Sequence, residues 1–128
     1  MVKILVVDDN KYVRMLLRSM LEKNGYQVVG EAGDKVDAIN QFKKLDPEVI
    51  LMDLRMPEEG NMAEVAISGI SATEEIKKLN PEVKIIILTA AAQEKYKESV
   101  MRAGADKYIT KPYKEKDIIE GIEDTVAE

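Results

Sequence analysis

Lys3-Ile4-Leu5-Val6-Val7-Asp8-Asp9 is a short β-branched apolar run that ends abruptly in two carboxylates. The same grammar returns three times. Asp53 follows Val49-Ile50-Leu51-Met52, Thr89 follows Ile85-Ile86-Ile87-Leu88, and Lys111 follows Tyr108-Ile109-Thr110. Apolar runs of this length, separated by helical patterns, read as buried parallel strands. In an open parallel sheet the carboxyl ends of the strands share one edge, where ligands bind. Three carboxylates, one hydroxyl and one ammonium from distant parts of the chain are therefore expected to meet. That set suits a divalent cation and a phosphoryl group.

Working outward, five strand-like and five helix-like segments alternate. Asn10 can cap a first helix with Val13, Leu16, Leu17, Met20 and Leu21 on its apolar face, ended by Asn24-Gly25. Gln27 to Glu31 reads as the second strand. Asp34 caps a second helix with Ala38, Ile39, Phe42 and Leu45 inward and Pro47 as its stop. The third strand runs to Met52. Ile70 to Leu79 forms the third helix, Lys84 to Leu88 the fourth strand, and roughly Gln93 to Ala103 the fourth helix. Asp106 to Ile109 is the fifth strand. Ile118, Ile119, Ile122 and Val126 face inward from the last helix. This alternation predicts an α/β fold, a doubly wound five-stranded parallel sheet with helices on both faces. The second run ends only in Glu31-Ala32-Gly33, so it belongs at an edge remote from the site. Strand order 2-1-3-4-5 follows. The last helix uses up the chain, so one domain over 1–128 and no output domain are expected.

Composition excludes much. A hydrophobic share of 45% and a charged share of 34% give a globular domain rather than a disordered or membrane chain. A net charge of -5 without a basic patch argues against a nucleic-acid partner. No apolar run has membrane length and no signal-peptide pattern opens the chain, so no membrane partner and a cytoplasmic location are expected. Cys and His are both absent. That removes thiol chemistry, a Ser-His-Asp triad and an imidazole base. A phosphohistidine donor would have to belong to another protein.

Val6-Val7-Asp8-Asp9, Leu51-Met52-Asp53-Leu54-Arg55-Met56-Pro57, Leu88-Thr89-Ala90-Ala91, Ala103-Gly104-Ala105-Asp106 and Tyr108-Ile109-Thr110-Lys111-Pro112-Tyr113 occur in that order. Together they resemble the receiver domain of two-component response regulators, the CheY-like family, over nearly the whole chain. CheY has the strand order expected here. One stretch departs from the family. Glu58 to Ser68 stands between Pro57 and Gly69, an excess of about eight residues over the usual short loop. Two readings are open for this insertion: a forward extension of the third helix, with Met62, Val65, Ala66, Gly69 and Ile70 at helical spacing, or an unstructured loop.

The resemblance implies roles. Asp53 is the phosphoacceptor. Asp9, Asp53 and the backbone carbonyl of Arg55 ligate Mg²⁺, and Asp8 does so directly or through water. Lys111 meets the phosphoryl oxygens, and its bond to Pro112 is cis in the family. Thr89 donates its hydroxyl to the phosphoryl group, and Tyr108 is the switch aromatic. Arg55 and Ala91 tune the lifetime of the modified state. The partners implied are a sensor histidine kinase or histidine phosphotransfer protein, and a downstream effector that reads the face made by the fourth helix, fifth strand and fifth helix. The chain would then be a phosphoacceptor signalling protein, not a turnover enzyme. The residues taken alone also allow simpler roles. Asp8-Asp9 can cap the first helix, Lys111 can be a turn lysine, and Thr89 and Tyr108 are ordinary strand residues. Rival functions are constitutive docking and a phosphatase working through an aspartyl intermediate. Asp53-Leu54-Arg55 lacks that phosphatase's second acid, and Asp8-Asp9 is hostile to a flavin phosphate.

Overall fold

A computed structural model describes residues 1–54 and 68–127. The strands are β1 (Lys3–Val7), β2 (Gln27–Ala32), β3 (Val49–Asp53), β4 (Lys84–Ala90) and β5 (Lys107–Lys111). The helices are α1 (Lys11–Lys23), α2 (Lys35–Leu45), α3 (Ser68–Leu79), α4 (Lys97–Arg102) and α5 (Glu115–Val126), with a 3-10 stretch at Ala91–Tyr96 before α4. All pairings are parallel and the strand order is β2-β1-β3-β4-β5, the doubly wound CheY-like arrangement. Among the described residues, no helix is long and apolar enough to cross a membrane.

Alternation along the strands builds two core layers. Leu5, Val7, Ile50, Met52, Ile85 and Ile87 pack with Ala38 and Phe42 of α2, Ala72 and Ile76 of α3 and Val100 of α4. Ile4, Val6, Val49, Leu51, Ile86 and Leu88 pack on the other face with Leu17 and Leu21 of α1 and Ile118 and Ile122 of α5. Strands buried on both faces explain why their sequences are continuously apolar rather than alternating. Local signals act where expected. The Asn10 side chain accepts from the N–H groups of Tyr12 and Val13, and Asp34 accepts from Asp37 N–H. Asp8 and Asp9 therefore do not cap α1. The cap is Asn10.

Several boundaries and faces differ from the sequence expectation. Leu16 is 67% exposed, because it lies about 100° around the helix from Leu17 and misses the sheet. Val126 is also exposed, in the final turn of α5. The expected fourth helix is divided into the 3-10 stretch and a short α4. Strands β4 and β5 continue through Ala90 and Lys111, so Thr89 and Lys111 are ladder residues rather than loop residues. Helix α3 begins at Ser68, two residues before Ile70, so the last residue of the insertion is helical. Residues 58–67 of the insertion, with both conformations considered for them, lie outside the described residues, as does Arg55.

Candidate phosphoacceptor site

Parallel register brings the acids together. Val7 pairs with Met52, so the residues that follow, Asp8 and Asp53, emerge side by side from β1 and β3. Asp8, Asp9 and Asp53 each offer a carboxylate oxygen, and these oxygens all lie within 4.8 Å of one another. Asp8 is buried at 3% exposure, Asp53 is half-buried and Asp9 is exposed, so the cluster opens from core to solvent. Burial pushes the Asp8 carboxyl above its ordinary range, and the neighbouring Asp9 adds to this. The N–H of Asn10, donating to Asp8 Oδ1 at 2.9 Å, and the charge of Lys111 pull the other way. Crowded carboxylates of this kind are relieved by a cation. The donor set is all hard oxygen, which fits Mg²⁺ and its preference for one or two carboxylates completed by water and phosphate.

The backbone beneath the acids is tightly specified. Asp8 N–H donates to Ala32 O at 3.0 Å, and Gly69 N–H donates to Leu54 O at 3.0 Å. A Cβ on Gly69 would stand 2.8 Å from Asp53 O, Leu54 Cα and Leu54 O, so only glycine lets α3 lie against the end of β3.

On the other side, β4 and β5 carry the remaining expected residues. Thr89 is fully buried and pairs in register with Thr110, and Ala90 pairs with Lys111. The ammonium of Lys111 acts electrostatically on Asp8, across the sheet edge. The Lys111–Pro112 peptide is cis. Tyr108 is half-buried and its hydroxyl is hydrogen-bonded to the Thr89 side chain, which lowers the phenol's pKa against the stronger upward push of burial. Lys97 Nζ lies 5.7 Å from the centre of the Tyr108 ring. Ala91 opens the 3-10 stretch directly after β4.

Sequence reasoning missed two contributors. Tyr113 follows the cis peptide, half-buried. Burial raises its phenol, and the charges of Asp8 and Asp53 push it the same way. Arg14 donates from Nη1 to the Asp8 carbonyl and from Nε to Glu31 Oε1, so the edge strand β2 does reach the site through Glu31. The readable signal was an Arg one turn beyond the Asn10 cap, since helical side chains lean toward the N-terminus.

A model described as the response regulator receiver domain matches residues 4–123. The chain belongs to that family. The receiver is 35% identical over 120 residues to chemotaxis protein CheY of Thermotoga maritima, spanning 94% of this chain and 93% of that one. It is 34% identical over 124 residues to chemotaxis protein CheY of Bacillus subtilis, spanning 97% of each. The receiver also superposes on the crystal structure of a response regulator receiver domain protein from Clostridium thermocellum with a TM-score of 0.86. There the identity is 26% and the cover is 99% of this chain and 95% of the other. Receivers of this family are phosphoacceptor signalling modules, and this chain carries the acidic cluster where that chemistry would sit.

Proposed function

We propose that the chain works as a response-regulator receiver whose Asp53 accepts a phosphoryl group from phosphohistidine on a sensor histidine kinase or a phosphotransfer protein. The observation that carries this reading is the convergence of Asp8, Asp9 and Asp53 at the end of β3. A carboxylate oxygen of Asp53 attacks phosphorus, the bond from phosphorus to the donor's imidazole nitrogen breaks, and that nitrogen takes up a proton. Asp8, Asp9 and Asp53, with the backbone carbonyl of Arg55 that the family resemblance implies, would hold Mg²⁺, which would neutralise the acids and the charge that develops on phosphorus. Lys111 brings a point charge to the phosphoryl oxygens. Thr89 turns its hydroxyl toward them and exchanges its bond with Tyr108 for one to the new anion. Tyr108 then repositions, which shifts the population of the face formed by α4, β5 and α5, where an effector protein docks. Transfer onto Asp53 and its hydrolysis are the chemistry this reading assigns to the chain.

Mass spectrometry after incubation with a small phosphodonor and Mg²⁺ tests the assignment. Wild type gains a single phosphoryl adduct, Asp53→Asn gains none, and omission of Mg²⁺ suppresses the adduct. An adduct that survives Asp53→Asn at another residue would defeat the proposal.

A further inference from the structure

The peptide joining Asp8 to Asp9 is gripped from several sides. Its leading residue donates from N–H to Ala32 O at 3.0 Å, and Asp8 Oδ1 accepts from Asn10 N–H at 2.9 Å. Its carbonyl accepts from Arg14 Nη1. The same guanidinium donates from Nε to Glu31 Oε1 at 3.1 Å, and the other oxygen of Glu31 is held by Arg18 Nε at 2.8 Å. Glu31 is thus clamped between two guanidinium groups and cannot rotate without breaking one contact. Gly33 lies alongside, where a Cβ would come within 3.4 Å of Arg14 Nη1 and 3.9 Å of the Asp8 carbonyl oxygen. Arg14 is only 20% exposed, so this is an ordered contact.

We propose that Arg14, oriented by Glu31, is a positioning residue for the cation site: it fixes the peptide whose two ends carry Asp8 and Asp9. The inference rests on the phosphoacceptor reading above. A planar fork spanning a carbonyl and a carboxylate restrains orientation in a way a point charge does not. The sign of its effect separates this role from simple charge balance. A cation beside a cation site opposes metal binding by Coulomb repulsion, so if Arg14 only offsets the acids, its removal tightens Mg²⁺. If it positions the ligands, its removal weakens Mg²⁺ despite the lost repulsion.

The experiment is isothermal titration of the full chain with MgCl₂ at fixed ionic strength, with circular dichroism to verify folding. Arg14→Gln is expected to weaken Mg²⁺ about tenfold, the lower end for residues that support metal ligands indirectly. Arg14→Lys, which keeps the charge and loses the fork, weakens it as well, and it carries the test if the Gln variant does not fold. Arg18→Gln, which loosens Glu31 but leaves Arg14 on the Asp8 carbonyl, weakens Mg²⁺ less than either Arg14 variant. Unchanged or tighter Mg²⁺ binding in both Arg14 variants, beside normal wild-type binding, overturns the positioning role alone. Absence of Mg²⁺ binding by wild type overturns the phosphoacceptor reading and this inference with it.

Discussion

The two halves of the site are built differently. On the β1–β3 side, the hydrogen bonds that position the acids each have a main-chain group on one side: Asp8 N–H on Ala32 O, Asn10 N–H on the Asp8 carboxylate, Arg14 Nη1 on the Asp8 carbonyl, Gly69 N–H on Leu54 O. The helices that abut it, α1 and α3, have 13 and 12 residues. On the β4–β5 side, side chains hold side chains. Tyr108 meets Thr89, Lys97 covers the Tyr108 ring, and Thr110 Oγ1 reaches Glu94 at 3.5 Å. The flanking helix α4 has six residues and follows a 3-10 stretch, whose hydrogen-bond geometry is poorer than that of an α-helix. A backbone-set half keeps its shape when charge arrives. A half made of exchangeable side-chain contacts can be repartnered by a new anion. In the proposed function, chemistry and readout are thereby divided between neighbouring strands.

The harshest challenge to this contrast is Gly69→Ala. Its Cβ meets main-chain atoms at 2.8 Å, which cannot rotate aside as a side chain can. We expect a loss of about 3 kcal/mol in urea unfolding, the upper range for overpacking, together with a weaker adduct at Asp53. Tolerance of the alanine at under about 0.5 kcal/mol would mean that the acid half is more pliant than described.

Asp8→Asn probes the same half through charge. The folded state raises the Asp8 pKa, chiefly by burial. Its favourable contribution is therefore complete below the ordinary Asp range near ~4, and is lost as pH rises through the raised value. At neutral pH the metal-free fold carries a buried carboxylate. The amide retains an acceptor for Asn10 N–H, so Asp8→Asn should raise the metal-free Tm at pH 7 by about 2–5 °C, with a smaller gain in acid. A lower Tm would show that the ionised form is favoured by the fold.

The mildest effect belongs to the readout half. Tyr108→Phe removes one hydroxyl contact and should cost less than about 1 kcal/mol. Mg²⁺ affinity, followed by titration, should stay within about twofold of wild type. A large loss of Mg²⁺ binding in this variant would erase the division between the halves.

Much of this was legible in the chain because burial on both faces forces an unbroken apolar run, and a polar residue after such a run marks a strand end. Asn10 and Asp34 announced their helices for the same local reason, a side-chain acceptor placed before an apolar stripe. The convergence of Asp8, Asp9 and Asp53 followed from parallel pairing alone. What stayed hidden depended on packing between elements. Leu16 fits the helical pattern in sequence, yet the face of α1 that meets the sheet is Val13, Leu17, Met20 and Leu21. Glu31 looked remote because strand order measures distance along the sheet and ignores the reach of an Arg side chain. The division of the expected fourth helix left no break residue between Gln93 and Ala103 to announce it.

At the far edge of the sheet, Lys77 Nζ meets Asp106 Oδ2 at 2.8 Å and also donates to the Val83 carbonyl, while the same carboxylate oxygen accepts from Ile85 N–H at 2.8 Å. This clasp ties α3 and the start of β4 to the residue just before β5. The fifth strand is thus anchored at its beginning, and any travel of Tyr108 or Lys111 has to be absorbed within its five residues, a span of about 17 Å. Tyr108 stands two residues past that anchor and Lys111 is still paired with Ala90, so a change at Tyr108 falls to its side chain rather than to the strand.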